Sequence, residues 1–259
     1  MISGTKEWAV AEINCGTGCL YDCRYCYARR KAITRGTISK QADWQKWYPD
    51  PGTEQRDYRN YDGQVMFPTA HDIFPENLVE CECVIRNLLE CGNRVLIVSK
   101  PNRNCIAALC RTFKEYQDSI LFRFTLTARN PSILRIWEPG APAYHKRLES
   151  LRHAYENGYQ TSVSVEPILD MTDLPGMIEE IRGWVTHSIW LGKMNKIEQR
   201  VVMDSEQITA EAERIVSQQS DRNVAGLYER YKLDPLIKWK ESIKKIVGIP
   251  LSKEAGEDR

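Results

Sequence analysis

Short apolar runs alternate along most of the chain with longer stretches of helical periodicity. The predicted strands are six: Val10–Asn14, Gln64–Phe67, Arg94–Val98, Ile120–Leu126, Gln160–Val165 and Ser188–Leu191. The predicted intervening helices are Tyr27–Thr34, Glu76–Cys91, Asn104–Gln117, Tyr144–Asn157 and Leu174–Trp184. Strands that alternate with helices form parallel sheets, and six units are fewer than a closed barrel needs. The pattern therefore predicts an α/β fold built as a partial (βα)6 barrel.

Two stretches depart from this alternation. Residues 36–63, here called the insertion, are polar and aromatic and contain Pro49 and Pro51. The insertion is expected either to form a lid or to pack over one end of the barrel. After Ile197 the chain is expected to be helical, over Ser205–Gln218, Asn223–Tyr231 and Pro235–Val247. We therefore expect a core at 1–197 and a C-terminal helical extension at 198–259 that packs on it.

Composition and charge narrow the class of protein. The 259 residues carry a formal net charge of +1, which gives no overall sign of nucleic-acid binding. No apolar run approaches the roughly 20 residues of a membrane span, and the N-terminal segment lacks the apolar stretch of a signal peptide. We therefore expect a cytoplasmic protein that uses no membrane. The nine cysteines are then expected as metal ligands and packing residues rather than as disulfides.

Three cysteines, Cys19, Cys23 and Cys26, lie between the first predicted strand and the first predicted helix. In a parallel α/β fold this segment lies at the carboxyl end of the sheet, where ligands bind. Closely spaced thiolates hold iron–sulfur clusters, and three protein ligands leave one iron of a four-iron cluster open. The segment therefore predicts a [4Fe-4S] cluster whose open iron binds donor atoms of a substrate.

Other interpretations of the cysteines remain open. Zinc would need a fourth Cys or His nearby, and the nearest histidine is His71. Cys23 and Cys26 alone could form a redox dithiol, and Cys15 could replace Cys19 as a ligand. The other five are interpreted as packing residues, with a hydrogen donor or a second cluster as the alternative; they are Cys81, Cys83, Cys91, Cys105 and Cys110.

The spacing of Cys19, Cys23 and Cys26, with Tyr25 before the last cysteine, resembles that of the radical S-adenosylmethionine (radical SAM) superfamily. Further segments resemble its spore photoproduct lyase-like group: Gly18–Ala28, Val65–Asp72, Val98–Lys100, Glu138–Pro142 and Val165–Ile168. The resemblance implies a partial barrel of the radical SAM type, with the [4Fe-4S] cluster and S-adenosylmethionine as cofactors. It also implies reductive cleavage of S-adenosylmethionine to a 5′-deoxyadenosyl radical, which abstracts a hydrogen atom from a substrate.

The resemblance also assigns cofactor contacts residue by residue. The main chain around Tyr25 is expected to meet the adenine, and Thr69 the methionyl amino group. Ser99 and Lys100 are expected to reach the methionyl carboxylate or the ribose, because a lysine supplies a charged donor to a carboxylate. Thr127 is expected to bind the ribose. The structural alternatives are a surface lysine before a proline turn and an ordinary strand threonine.

Two candidate catalytic residues follow predicted strands. Glu166 ends the run Ser162–Val165, and a carboxylate at the carboxyl end of an inner strand faces the active site. The alternative is a structural carboxylate paired with an arginine such as Arg129. His71 lies just beyond the second strand and is expected either to line the substrate space with Asp72 or to form a satisfied loop pair with it.

The hydrogen donor of the group has no counterpart at the expected place. Spore photoproduct lyase carries a cysteine near the second strand, whereas the matching stretch here is Gln64–Phe67. The absence of this cysteine argues against the DNA repair reaction of spore photoproduct lyase.

A basic stretch with tryptophans and tyrosines nearby suits an unstacked nucleic-acid strand, or else a solvated helix face balanced by later acids. It comprises Arg24, Arg29, Arg30, Lys31, Arg35, Lys40 and Lys46. The expected partners are an electron donor such as flavodoxin or ferredoxin, and a nucleic-acid base as candidate substrate. The alternative substrates are a small metabolite and a peptide. The alternative to an enzyme is a non-catalytic iron–sulfur or nucleic-acid-binding module.

Overall fold

The structure, a computed structural model, describes residues 2–257 apart from the side chains of Gln41 and Glu54. Its strands are β1 (Ala11–Glu12), β2 (Gly16–Thr17), β3 (Tyr48–Pro49), β4 (Gln64–Phe67), β5 (Arg94–Ser99), β6 (Ile120–Thr125), β7 (Gln160–Val165), β8 (Ser188–Leu191) and β9 (Ile237–Trp239). Strands β2 and β3 pair antiparallel. The others form one seven-stranded sheet in the order β1-β4-β5-β6-β7-β8-β9, and every pair in it is parallel.

Helices connect and cover these strands. They are α1 (Tyr27–Thr34), α2 (Leu78–Glu90), α3 (Arg103–Thr112), α4 (Pro131–Trp137), α5 (Tyr144–Glu156), α6 (Leu174–Ile181), α7 (Ile197–Arg200), α8 (Glu206–Gln218), α9 (Asp221–Tyr231) and α10 (Glu241–Val247). Short 3-10 turns lie at Gly4–Glu7, Gln41–Gln45, Thr53–Gln55, Pro75–Asn77, Lys114–Ser119 and Arg182–Trp184. Within residues 2–257, no helix has the length and apolar character that crossing a membrane requires.

The sheet buries both of its faces, which is why its strands read as nearly continuous apolar runs. All six residues of β6 are buried. On one face the strands pack against the apolar sides of α2, α3, α5 and α6 in the main core. On the other face Trp8 and Trp190 meet edge to face at 5.6 Å, and the guanidinium of Arg123 lies over both rings. The α/β partial barrel predicted from the sequence is therefore confirmed.

One predicted element is wrong. The stretch Pro235–Val247 was expected to be a single helix, but Ile237–Trp239 forms β9 and pairs parallel with β8. The reason is a short period-two pattern in which Ile237 and Trp239 are buried on either side of the half-buried Lys238. The sheet therefore has seven strands rather than six, and α10 begins only at Glu241. The boundary between a core at 1–197 and an extension at 198–259 stays a prediction.

The remaining differences concern helices and the insertion. Helix α4 was not predicted, and the stretch Asn104–Gln117 forms α3 only as far as Thr112 before a 3-10 turn. In the insertion, Trp44 is 1% exposed, and the ring of Trp47 packs edge to face on Phe74. The insertion therefore packs its tryptophans inward, against the protein.

Candidate functional site

Residues 18–26, here called the cysteine loop, join β2 to α1 and carry the three predicted ligands. Cys19 and Cys23 are each 5% exposed. Cys26 is the N-cap of α1, and its sulfur accepts a hydrogen bond from the Arg29 N–H at 3.4 Å. The backbone N–H of Cys26 also donates to the Cys23 carbonyl at 3.1 Å. The same short turn therefore starts the helix and positions two of the thiols.

Glycines allow other segments to hold the cysteine loop closely. Gly18 has a φ of +100°, and a Cβ there would lie 1.8 Å from the Lys46 carbonyl oxygen. A Cβ on Gly140 would lie 2.4 Å from the Leu20 carbonyl oxygen, and the Gly140 N–H donates to the Tyr21 carbonyl at 3.1 Å. Side chains at either glycine would displace the loop, because backbone atoms cannot move aside as a flexible side chain can.

The three thiols are held in surroundings that disfavour free thiolates. Burial raises the pKa of Cys23 to about 12 and that of Cys26 above its usual range. Burial raises the pKa of Cys19 most, and Asp72, Cys23 and Cys26 raise it further. Without a bound cation, all three thiols therefore stay protonated at neutral pH. Since a metal binds the deprotonated form, a bound cation is needed to hold three thiolates here. The donor set therefore fits an iron–sulfur cluster.

Asp72 gathers Ser99 and Lys100 beside the cysteine loop. One carboxylate oxygen accepts from the Ser99 hydroxyl at 2.9 Å and from the Lys100 backbone N–H at 2.5 Å. The other oxygen lies 3.8 Å from both the Lys100 Nζ and the Cys19 sulfur. The Lys100 Nζ lies 5.5 Å from the ring centroid of Tyr25. The structure therefore brings these predicted cofactor-binding residues together at the carboxyl end of β5.

Glu138 holds the other predicted contacts. One carboxylate oxygen accepts from the Tyr25 hydroxyl and from the Thr127 hydroxyl, the latter at 2.8 Å. The second oxygen accepts from the Arg147 guanidinium. Burial acts to raise the pKa of Glu138, but Arg147 and then Lys100 outweigh it and lower that pKa. Glu138 is therefore a buried anion between Tyr25 and Thr127.

Thr69 is fixed by Asn14, at the end of the first strand. The Asn14 amide N–H donates to the Thr69 hydroxyl at 2.7 Å, and its amide oxygen accepts from the Thr69 and Ala70 N–H groups at 2.9 and 2.7 Å. The Tyr27 hydroxyl donates to the Thr69 carbonyl. Since the Thr69 hydroxyl accepts from Asn14, its own hydrogen is available to a ligand.

His71 is placed differently from Asp72, its neighbour in the chain. Its imidazole is 6% exposed, lies 3.5 Å from the Cys15 sulfur, and packs against the Trp47 ring at 4.8 Å. Asp72 alone of the two turns toward Ser99. The structure therefore separates His71 from the predicted cofactor contacts, and its catalytic role stays a prediction.

Glu166 lies at the far side of the same sheet edge. Its carboxylate is 3.6 Å from the Lys240 Nζ, which also pairs with Glu7 at 2.6 Å. The alternative prediction that Arg129 pairs with Glu166 is wrong, because the Arg129 guanidinium pairs with Asp173. Burial raises the pKa of Glu166 despite the opposing effect of Lys240. Its catalytic role is likewise a prediction.

Sequence reasoning missed the organising role of three residues. These residues are Glu138, Asp72 and Asn14, none of which was predicted to hold other side chains of the site. The ion pair of Glu138 with Arg147 spans nine positions and places both side chains at 1% exposure or less. Sequence spacing carries no signal for such a pair, since the turn between α4 and α5 creates it.

The basic stretch divides into two groups. Arg29 pairs with Asp22 at 2.5 Å, and Arg24 pairs with Asp204 at 3.0 Å. The other five side chains are exposed: Arg30, Lys31, Arg35, Lys40 and Lys46. Trp44, which was expected to help stack bases, is buried instead.

Comparison with known proteins gives distant relatives. No family model matches the chain. An uncharacterised protein of Acidianus two-tailed virus is 25% identical over 172 residues, which are 62% of this chain and 56% of that protein. An uncharacterised protein of Methanocaldococcus jannaschii is 22% identical over 176 residues, 66% of this chain and 65% of that protein. The chain thus matches between half and two thirds of the length of these curated relatives.

Solved structures give the likeness of fold. SuiB of Streptococcus suis, a radical SAM enzyme, is similar in its complex with the precursor peptide SuiA, with a TM-score of 0.58, 6% identity, and coverage of 95% of this chain and 54% of that chain. The complex of SuiB with S-adenosylmethionine has a TM-score of 0.54 and 7% identity, and the match covers 95% of this chain and 54% of that chain. A spore photoproduct lyase mutant with dinucleoside spore photoproduct has a TM-score of 0.49 and 14% identity, and the match covers 87% of this chain and 74% of that chain. The two SuiB structures therefore show that the chain has the partial-barrel fold of this radical SAM enzyme, the fold that the alternation of strands and helices predicted.

Proposed function

We propose that this chain is a radical SAM enzyme that cleaves S-adenosylmethionine reductively, with a [4Fe-4S] cluster held by Cys19, Cys23 and Cys26. When bound, that cluster supplies the electron that breaks a carbon–sulfur bond and yields the 5′-deoxyadenosyl radical for hydrogen abstraction. One observation carries the proposal: one short loop holds the buried thiols of Cys19 and Cys23 and the half-buried thiol of Cys26 beside the Asp72–Lys100 pair, at the carboxyl end of a sheet of this fold.

Lys100 is proposed to bind the methionyl carboxylate. Burial disfavours its charged form, but Cys23, Asp72 and Glu138 together raise its pKa. The ammonium therefore keeps its charge across the working pH range. The backbone of Lys100 and the Ser99 hydroxyl share one Asp72 oxygen, so the lysine starts from a fixed position. A charged donor held in place binds a carboxylate at a lower entropic cost than a mobile surface lysine does.

Thr69, Tyr25 and Thr127 are proposed to hold the remainder of S-adenosylmethionine. Thr69 offers a second lone pair of its hydroxyl oxygen, or its backbone carbonyl, as acceptor to the methionyl amino group, from a position that Asn14 fixes. The Tyr25 hydroxyl is engaged by Glu138, so the main chain around Tyr25 is what meets the adenine. Thr127 also donates to Glu138, and its oxygen lone pairs can accept from a ribose hydroxyl.

The insertion is proposed to keep water from the cysteine loop. The Cys19 N–H donates to the Trp44 carbonyl at 2.8 Å, and the Trp47 ring covers Phe74. Cys19 and Cys23 are accordingly almost fully buried. A radical formed beside them would be sheltered from solvent, which suits chemistry in which the protein orients cofactors and excludes side reactions.

The substrate proposed first is a nucleic-acid base, because five exposed basic side chains follow the cysteine loop. A peptide is the second candidate, since SuiB of the same fold is bound to a precursor peptide. A small metabolite is the remaining class. A reduced flavodoxin or ferredoxin is the proposed electron donor.

The test is a cleavage assay on protein reconstituted anaerobically with iron and sulfide. Dithionite and S-adenosylmethionine are added, and 5′-deoxyadenosine is measured alone and with single-stranded DNA, RNA or peptide fractions. We expect 5′-deoxyadenosine from the unaltered chain, none from Cys26→Ala, and undiminished production from the half-buried control Cys91→Ala. A fraction that raises turnover contains the substrate class. Tight binding of S-adenosylmethionine without cleavage would instead identify a non-catalytic iron–sulfur module.

A further inference from the structure

A second group of metal-binding side chains lies apart from the three predicted cluster ligands. Cys15 lies between β1 and β2, His71 follows β4, and Cys81 lies in α2. The two sulfurs and an imidazole nitrogen all lie within 4.8 Å of one another. The three residues are buried, with exposures of 0%, 6% and 0%. Three different elements therefore bring two thiols and an imidazole to one enclosed point.

Two of the three spacings match the edges of a tetrahedral zinc site, and the third, from the Cys81 sulfur to the imidazole, is within 4.8 Å. Zinc–sulfur bonds of about 2.3 Å and zinc–nitrogen bonds of about 2.0 Å imply sulfur–sulfur edges of about 3.8 Å and sulfur–nitrogen edges of about 3.6 Å. The Cys15 and Cys81 sulfurs lie 3.7 Å apart, and the Cys15 sulfur lies 3.5 Å from His71 Nε2.

The hydrogen bonds of His71 place an unprotonated ring nitrogen beside the thiols. Its Nδ1 lies 3.0 Å from the Asp72 carbonyl oxygen, a contact that only a protonated Nδ1 makes. Nε2 is then unprotonated: it accepts a long hydrogen bond from the Cys15 N–H at 3.3 Å and lies 3.5 Å from the Cys15 sulfur, so a zinc ion would take the place of that N–H. Metal-binding histidines typically donate their other N–H to a carbonyl or carboxylate in this way.

Charge balance also favours a dication. Two thiolates and a neutral imidazole around a divalent ion give a site of zero net charge, which a buried position tolerates. The rings of Trp47 and Phe67 pack on the imidazole at 4.8 and 5.9 Å and close the site on that side.

We propose that Cys15, His71 and Cys81 bind one Zn²⁺ ion, separate from the iron–sulfur cluster, with water as the fourth ligand. The ion would join the ends of β1 and β4 to α2. His71 directly precedes Asp72, which anchors Lys100. The zinc ion would therefore stabilise the segment that positions the proposed S-adenosylmethionine contacts.

The test measures zinc and iron per chain by mass spectrometry in full-length protein. The protein is incubated with zinc chloride, desalted, and then reconstituted anaerobically with iron and sulfide. We expect about one zinc ion per unaltered chain. Cys81→Ser and His71→Gln should lower zinc content at least about tenfold while iron stays, since even supporting residues of metal sites cost that much. The matched buried control Cys110→Ser, 3% exposed in α3, should keep both metals.

A cross-check separates this site from the cluster. Cys23→Ala should lose iron and keep zinc. Zinc that disappears with Cys23→Ala but stays in Cys81→Ser would place the ion on the cysteine loop and overturn the proposal, as would unaltered protein without zinc. If Cys81→Ser fails to fold, Co²⁺ replaces zinc in folded Cys23→Ala. A thiolate-to-cobalt absorption band is then expected there, and its absence overturns the proposal.

Discussion

Asp72 and Glu138 each hold several of the polar groups around the cysteine loop. Asp72 accepts from Ser99 and Lys100, and Glu138 accepts from Tyr25 and Thr127. All four partners were predicted from the sequence as cofactor contacts. The sequence identified these four groups through the family resemblance, and their contact with the cofactors stays a prediction. It did not predict what holds them, since both carboxylates act across loops whose course only the fold determines.

Removal of the Lys100 ammonium tests the carboxylate contact. A hydrogen bond to a charged group contributes about 1.5–3 kcal/mol, so Lys100→Ala should raise the dissociation constant of S-adenosylmethionine by roughly tenfold to a hundredfold. Iron content should be unchanged, because Lys100 is not a proposed ligand. Isothermal titration of anaerobic protein measures the affinity, and Lys146→Ala, on the exposed face of α5, is the control. Loss of iron from Lys100→Ala would contradict the proposed role of Lys100 as a contact of the methionyl carboxylate.

The pair of Glu138 and Arg147 is expected to matter for stability. Both side chains are almost completely buried, and Glu138→Ala leaves the guanidinium without its carboxylate. Breaking a buried pair in this way typically costs about 3–5 kcal/mol. Urea unfolding should show that loss, whereas Glu149→Ala, which breaks an exposed pair with Lys146, should cost about 1 kcal/mol or less. Equal losses in the two variants would contradict the buried network.

The charge of Glu166 should show itself in the pH dependence of stability. Its pKa is raised in the folded protein, so the protonated form is the one that folding favours. The stabilisation that protonated Glu166 contributes is fully present below the ordinary carboxyl pKa. It is lost as the pH rises through the raised pKa of the folded protein. Glu166→Gln imitates the protonated form and should therefore be more stable than the unaltered chain at neutral pH and equal to it near about pH 4. Urea unfolding at both pH values checks this, and lower stability of Glu166→Gln at neutral pH would show that Lys240 outweighs burial.

At the scale of elements, apolar runs with clear polar boundaries were predicted well, whereas β9 and α4 were missed. Strands β4, β7 and β8 and helix α1 have the predicted bounds. Strand β9 was missed because three residues among helix-forming ones give no resolvable period, and only pairing with β8 stabilises them. Helix α4 was missed for a similar reason, since its seven residues make only about two turns.

The contribution of β9 to the core can be measured through Ile237. This side chain is 5% exposed and packs in the main core, so Ile237→Ala should destabilise the protein by about 2–5 kcal/mol. Leu233→Ala is the matched control, because Leu233 is 90% exposed. Chemical unfolding of both variants gives the comparison. A loss below about 1 kcal/mol for Ile237→Ala would mean that β9 is not part of the cooperative sheet.

At the scale of the whole molecule, one parallel sheet brings distant segments to a common edge. The cysteine loop, the segment after β4 and the ends of β5 and β6 supply the proposed cofactor contacts, and the insertion covers them. The fold class followed from alternation of strands and helices alone. The substrate does not follow from it, because the exposed basic residues and the net charge of +1 fit more than one class of partner.

The most direct measurement is electron paramagnetic resonance of anaerobically reconstituted, dithionite-reduced protein, with and without S-adenosylmethionine. The account predicts the signal of a reduced four-iron cluster whose g-values shift when S-adenosylmethionine is added, because three cysteines leave one iron accessible to it. A signal that stays the same after the addition, or protein that retains no iron and sulfide, would contradict the account.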